Sequence, residues 1–452
     1  MRGYKKLVSS GLVNIGCIPE NWYVAKINYF SKLQTGGTPN KDIIEYWENG
    51  NVNWMSSGEV NNEFIFKTKH KITELGMKNS NASILPVNSV MMALNGQGKT
   101  KGTVAVLKVE TTCNQSLAAF ITDENHLHYL YLYYFLKYNY KFIRGLVGDG
   151  LRDGISMGLL KSLKICLPTY EEQRTIGEFL YKKEQEIKTL IEQKESLIRL
   201  LEQQRQSIIT EAVTKGLNPN VKMKDSGVEW IGEIPEHWSI LALKHIASEK
   251  KHSFVDGPFG SDLKNEEYVD SGVPVIQLNN IKNGDLRVIN MNFVTKKKSE
   301  QLKRHIAYPG DLVIAKMASP IARSAVVPKT YENYVIVADC IKLKLKENYL
   351  NHYINFAMNT PFTIAQAESF ANGTTRSRVN LSIIKNLKLP IPNFEEQKEI
   401  ASYLTLKVSE VNNVIKAVEN QIQKLKEYRQ SLIYEAVTGK IDVRDMELDE
   451  VR

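Results

Sequence analysis

The sequence is doubled, and the doubling sets the architecture before composition is considered. IGCIPENW at 15–22 returns as IGEIPEHW at 231–238, identical at six of eight positions. Residues 168–214 align without a gap to 392–438 at a constant offset of 224, with twenty identities in forty-seven positions. The strongest anchors are EEQRTIGEFL against EEQKEIASYL and RQSIITEAVT against RQSLIYEAVT. Between them lie two regions, 20–165 and 236–389, that share only a faint skeleton: VNWMSSGEV with VPVIQLNNI, LPVNSVMMA with YPGDLVIAK, GDGLRDG with NGTTRSR. The order is therefore globular region, repeated segment, diverged globular region, repeated segment.

The repeated segments read as long helices. In the second, Leu404, Val408, Val411, Ile415, Val418, Ile422, Leu425 and Leu432 recur at spacings of three and four, the period of a coiled-coil seam. Leu180, Ile187, Ile191, Ile198, Leu201 and Ile208 fall on the matching positions of the first. Each stretch follows a proline, Pro168 or Pro392, and contains none itself, and Gly177 is the only glycine in the two. Two equal apolar stripes pack on each other. The short connection after Thr214 forces the pair to run antiparallel, with the globular regions at opposite ends of a rod of about 67 Å, at about 1.5 Å per residue. This gives an α+β chain of two β-rich domains separated by two long antiparallel coiled-coil helices, a pseudo-twofold internal repeat. The expected segments are 1–167, 168–216, 217–390 and 391–452.

The globular regions hold short β-branched runs, GTVAVLKV, DLVIAKM and NYVIVADCIKL, between Gly, Asn and Pro turns. Each also holds an aromatic patch, LHYLYLYYFLKY or YLNHYINFAMN, whose spacing predicts a core helix rather than a base-stacking platform. Cys17, Cys113, Cys166 and Cys340 lie far apart with no CxxC, so small buried residues are expected rather than disulfides or zinc ligands. No apolar run is long enough to span a bilayer and no signal peptide opens the sequence, so a cytoplasmic protein is expected.

Charge discriminates further. Residues 1–167 carry 19 basic and 12 acidic side chains, and 226–390 carry 21 and 16, while the helical segments 168–225 and 391–452 carry 10 and 10, and 9 and 12. A polyanion such as nucleic acid would be drawn to the domains and not to the helices. Enzyme motifs fail on inspection. GQGKT at 96–100 has Ala93 where a P-loop needs its first glycine and runs into a strand-like segment instead of a helix. DGPF at 256–259 departs from the Asp-Pro-Pro-Phe loop of adenine methyltransferases, and no glycine-rich S-adenosylmethionine loop accompanies it. No metal-ligand spacing and no Ser/His/Asp arrangement is visible.

Two diverged β-rich domains alternating with two EEQ-led helices, together with TGGTPN, DGPFGSDLK and NGTTRSRVNL, resemble the specificity subunit of type I restriction-modification enzymes. The resemblance covers essentially the whole chain. It implies that the globular regions are target recognition domains, each reading one half of a bipartite, asymmetric double-stranded DNA site. The helices would set the spacing and dock two DNA adenine methyltransferase (modification) subunits, which two ATP-dependent restriction subunits can join. No cofactor is expected in this chain, with S-adenosylmethionine and ATP on the partners, and no membrane contact. Arg and Lys favour guanine edges and Asn and Gln adenine edges, which points to loops 95–101, 148–153, 277–280 and 373–378. The candidate DNA-contacting residues are Gln97, Lys99, Lys101, Arg152, Gln277, Asn279, Lys316, Thr374, Thr375, Arg376 and Arg378. Arg152 and Arg376 stand 224 apart and lead this set, with a salt bridge to the helices as the alternative role. The rival readings are a DNA methyltransferase or nuclease with its own catalytic centre, and an architectural DNA-bridging protein without sequence choice.

Overall fold

The computed structural model describes residues 4, 6–96, 98–147, 154–282, 284–317, 319–371 and 378–444. The two repeated segments are helices, Tyr170–Lys215 of 46 residues and Phe394–Val437 of 44. Both start in the same way. The side chain of Thr169 or Asn393 accepts the free amide of Glu172 (3.4 Å) or Glu396 (3.0 Å), and two glutamates occupy each first turn, where the exposed N–H groups favour negative charge. A positive-φ glycine follows each helix, Gly216 (φ 76°) and Gly439 (φ 66°).

The chain divides through these helices into two compact units, Met1–Glu195 with Glu419–Arg452, and Ser196–Val418. In the first, Glu184 meets Arg429 (3.8 Å) and Lys194 donates to Gln421 (2.7 Å), so the helices run antiparallel. In the second, Arg205 donates to Asn412 (2.5 Å), while Ile209, Ala212 and Val213 share a core with Ile400, Ala401 and Leu404. The helices are antiparallel there too. Of the seam positions, Leu180, Ile187, Leu404, Ile415, Val418, Ile422 and Leu432 are buried, and the middle of the first helix, Ile191 to Leu201, is only half covered.

The globular part of the first unit is built on a five-stranded sheet in the order Ser31–Thr35, Leu117–Thr122, Val90–Ala93, Val104–Leu107, Phe64–Ile65. A smaller sheet orders Thr112–Cys113, Val52–Met55, His70–Ile72. The second unit repeats the plan with different pairing. Four strands order Phe254–Asp256, Cys340–Leu343, Leu312–Ala315, Ser324–Val326, and five order Tyr268–Val269, Asn292–Val294, Val273–Ile276, Tyr334–Ile336, Ile306–Ala307. The central strands are apolar on both faces because one face meets a helix and the other meets the second sheet.

Those helices are the aromatic patches, Tyr129–Tyr138 and Asn351–Met358, and they are core elements. Tyr131, Tyr133, Tyr134 and Tyr353 are fully buried. The GQGKT segment leads into the strand Val104–Leu107, as its sequence implies. Three of the four cysteines are buried, and desolvation pushes the thiols of Cys113, Cys166 and Cys340 up to about 12. Cys17 departs from the expectation and is exposed, because strand alternation turns its neighbour Ile18 inward. Among the described residues, no helix is long and apolar enough to cross a membrane.

Candidate nucleic-acid interface

In each unit the repeated motifs meet to make one joint. Trp22 Nε1 donates to Glu172 Oε1 (3.2 Å) in the first unit, and Trp238 Nε1 to Glu396 Oε1 (3.5 Å) in the second. Tyr4 also donates to Glu172, and His237 Nε2 lies 3.0 Å from Glu396. The glutamine of each EEQ clamps the domain. Gln173 accepts the amide of His128 (3.0 Å) and donates to the Pro168 carbonyl (3.1 Å), while Gln397 accepts the amide of Leu350 (2.8 Å) and donates to the Pro392 carbonyl (3.0 Å). Tyr131 then donates to the carbonyls of Cys166 (2.6 Å) and Val437 (3.3 Å), and Tyr353 to those of Pro390 (2.8 Å) and Val213 (3.4 Å). Each globular domain is thus tied to the start of one long helix and the end of the other.

The opposite ends of the central strands carry the polar loops. In the second unit, the strand Phe254–Asp256 runs into Gly257, where a Cβ would stand 1.9 Å from the Val337 carbonyl oxygen. The Val337 amide in turn donates to Ile276 (3.2 Å), which precedes Gln277. The Lys316 amide donates to Asp339 and its carbonyl accepts from Val379, both at 2.9 Å. Four loops therefore converge: 256–264, 277–281, 316–323 and 337–339, with Arg378 alongside.

The turn after Ile276 is held by Asn280, whose side chain accepts the Gln277 amide (2.9 Å) and donates to the Arg287 carbonyl (3.0 Å). Arg323, 7% exposed, ties two loops together by donating to the carbonyls of Leu278 (2.9 Å), Ile281 (2.8 Å), Met317 (3.3 Å) and Pro320 (3.0 Å). No periodicity in the sequence distinguishes this positioning arginine from a surface one.

The first unit has the same convergence. A Cβ at Gly36 would stand 1.8 Å from the Cys113 carbonyl oxygen, matching Gly257. The turn after Met55 is held by Glu59, 3% exposed, which accepts the amides of Ser56 (2.8 Å) and Lys69 (3.0 Å). That bond places Lys67, Lys69 and Lys71, an exposed basic run in KTKHK, beside the turn. The density of lysines in KTKHK is the sequence signal that marks them, and none of them is among the candidate residues.

The candidate residues separate on this geometry. Gln277 is half-buried, and Asn279 is exposed at the loop surface. Arg378 is exposed and donates to Asp339 Oδ1 (3.0 Å). Lys99 is exposed on a hairpin loop braced by Tyr140, which donates to the Lys99 carbonyl (2.8 Å), and by Arg144, which donates to that of Gly98 (2.7 Å). Two lysines are corrected. Lys101 is 4% exposed, and Lys316 is 7% exposed with its Nζ 3.3 Å from Asp256 Oδ1 in an ion pair without a hydrogen bond. Covered side chains of this kind brace their loops and present little surface to a phosphate. Gln97, Arg152, Thr374, Thr375 and Arg376 lie outside the described residues. Among those that are described, no group of three or more His, Cys, Asp or Glu gathers as a metal site requires.

Comparison with known proteins agrees with this architecture. The chain is 22% identical over 435 residues to the type I restriction enzyme MjaVIII specificity subunit of Methanocaldococcus jannaschii, covering 95% of each chain. A chain from a study of assembly and conformational transition of the type I restriction-modification system superposes with a TM-score of 0.69 at 14% identity, covering 94% of this chain and 99% of that one. The crystal structure of the HsdS subunit from Thermoanaerobacter tengcongensis does so with a TM-score of 0.53 at 13% identity, covering 94% and 98%. At those identities the superpositions speak for the fold. The model of the type I restriction modification DNA specificity domain matches residues 19–199 and 260–424, the greater part of the chain, and the chain belongs to that family.

Proposed function

We propose that this chain is the DNA sequence-recognition subunit of a cytoplasmic type I restriction-modification complex and carries no catalytic centre of its own. Each globular domain reads one half of a bipartite double-stranded DNA site. The carrying observation is the pair of equivalent loop clusters, built on one plan and furnished with different side chains, on a chain of the DNA specificity family. Lys99, Gln277, Asn279 and Arg378 are the described contacts, and Gln97, Arg152, Thr374, Thr375 and Arg376 complete the set. Two adenine methyltransferase subunits using S-adenosylmethionine dock on the helices, and two ATP-dependent restriction subunits can join them. Exposed Leu197, Leu200, Tyr403 and Leu406, apolar positions off the coiled-coil seam, support such docking.

Methylome sequencing tests the division of labour. Exchanging residues 20–165 for the equivalent domain of a relative should change the bases of one half-site and leave the other intact. Altered bases in both halves refute it. Methyl transfer by the purified chain after rigorous removal of partner subunits refutes the non-catalytic reading. The helices act as a ruler: inserting four residues at Lys215, about one helical turn or 6 Å, should lengthen the gap between half-sites by about one or two base pairs.

A further inference from the structure

Phe259 is out of place by the ordinary rule for aromatic rings. It is 82% exposed, yet the loop beneath it is firmly built. Gly257 donates its amide to the Cys340 carbonyl (2.9 Å) and lies so close to the Val337 carbonyl that no side chain fits. Pro258 is buried and fixes the backbone one residue before the ring, and Asp262 closes a turn by donating to the Phe259 carbonyl (2.9 Å). A ring held in water by a rigid backbone is already ordered for a partner, and little freedom is lost when the partner arrives.

Its surroundings identify the partner's chemistry. The same loop cluster exposes Asn279, Lys264 and Arg378 and half-exposes Gln277, the side-chain types that meet base edges and phosphates. An apolar ring among such groups suits a nucleobase face, which is flat, apolar and adjacent to both. The equivalent loop of the first unit differs at this point. Gly36 answers to Gly257, and the residue two further on is Thr38, whose hydroxyl donates to Gln115 Oε1 (2.6 Å).

We propose that Phe259 is a specificity-determining stacking wedge: its ring packs against or between bases of the half-site read by the second domain, and at the equivalent position the first domain carries Thr38 instead. A wedge partly unstacks the step it enters, so it selects for steps that open easily, such as pyrimidine–purine steps. This rests on the reading of the chain as a two-domain DNA specificity subunit.

The test uses the complex reconstituted with its methyltransferase subunits and a duplex carrying the methylation site mapped for the wild-type complex. 2-Aminopurine is placed in one half-site, then in the other. With the probe at a base other than the methylated adenine, whose own extrusion into the methyltransferase would give a signal in either half, wild-type binding should raise the fluorescence for a probe in the second domain's half. Phe259→Ala should abolish that rise and weaken binding roughly five- to hundredfold, and Phe259→Trp should restore both. Thr38→Ala should leave the first half-site signal flat and unchanged. Because the ring is exposed, Phe259→Ala should unfold at the wild-type temperature, which separates lost stacking from lost folding. Wild-type affinity and fluorescence in Phe259→Ala overturn the proposal. So does a variant that binds DNA normally but loses its methyltransferase subunits, since the ring then serves a protein interface. If the wild-type complex shows no sequence preference at all, it is the specificity-subunit reading that fails, a distinct outcome.

Discussion

The two units solve the same packing problem with different chemistry, ionised in the first and neutral in the second. At the end of its aromatic helix the first unit places Lys137, whose ammonium donates to Glu63 (2.7 Å), Glu184 (2.8 Å) and the Tyr133 hydroxyl (3.0 Å), with Tyr134 donating to Glu184 (3.1 Å). The second unit places Asn359 there. Its amide donates to the carbonyls of Ser324 (3.1 Å) and Asn355 (2.8 Å), and its own carbonyl accepts from Gln206 (3.3 Å). Glu63 sits at φ 59° and its counterpart Gly284 at φ 94°, so even the left-handed turn is kept while its residue changes. Glu59 and Asn280 hold equivalent turns with a carboxylate and an amide. His128 and Leu350 offer equivalent amides to Gln173 and Gln397. What the repeat preserves is the position of donors and acceptors, and the charge on them has drifted.

Removing one partner of each network measures that difference. Glu184 is 3% exposed, so Lys137→Ala leaves a buried carboxylate held by the Tyr134 hydroxyl (3.1 Å) and by Arg429 at 3.8 Å without its closest cation, and should cost the first unit about 3 to 5 kcal/mol. Asn359→Ala strands only neutral groups and should cost the second about 1 to 3 kcal/mol. Denaturant unfolding followed by probes in each unit separates the two costs. Equal costs would break the contrast between ionic and neutral networks.

Acid should find the first unit before the second. The His128 imidazole is buried, and its Nδ1 has no hydrogen-bond partner. Desolvation first, then the nearby Arg174 and Lys108, pull its pKa down to about 4. The unfolded chain takes up this proton near pH 6.5 and the folded chain only near 4, so stability present above 6.5 drains away as pH falls through that window, by roughly 3 kcal/mol. His128→Leu, which imports the residue of the second unit, should flatten the pH dependence of the first unit's unfolding over that range. A slope that survives the substitution assigns the acid sensitivity elsewhere. At the alkaline end, burial opposes the Lys137 charge but Tyr133, Glu184 and Glu63 outweigh it and raise its pKa. The stability it brings is present throughout the neutral range and is lost only as pH rises through that raised value.

What could be read from the sequence follows the same division. The helices and the aromatic core helices were legible because each leaves a period, three and four for the seam and a Tyr/Leu face for the helix, and the antiparallel pairing because the connection after Thr214 is short. The joint formed by EEQ and IPE-x-W was visible as a repeat, but its meaning was not. Only the structure shows Glu172 and Glu396 receiving the two indoles, and Gln173 and Gln397 closing on the domains. Site residues were harder because burial of a polar side chain leaves no period. Lys101 and Lys316 read like Lys99 in sequence, and Arg323 reads like Arg378. Their roles depend on which loop covers them, and that is set by contacts far away in the chain.

The smallest expected effect concerns the joint itself. Ile15, Ile18 and Trp22 share a core with Leu432, Ile433, Ala436, Val437 and Ile441, and a Cβ on Gly439 would stand 2.3 Å from Pro19 Cδ and 3.2 Å from Trp22 Cζ2. In the second unit Gly216 faces Trp238 in the same way, and there the chain runs on from the helix into IPEHW without a break. The first unit reaches the identical contact from a separate segment, so covalent continuity is not what holds it. Moving residues 1–19 to the C-terminus would join Ile15 and Ile18 to the end of the second helix, as Ile231 and Ile234 are joined to the first, with the cut between Pro19 and Glu20 and these contacts retained. Such a permutant should unfold within about 1 kcal/mol of the parent, the change being limited to the closure of one new loop. Its methylated sequence should be unchanged in both halves. A permutant that fails to fold would mean that the equivalence of the two joints is geometric only, and that the order in which the chain assembles them matters.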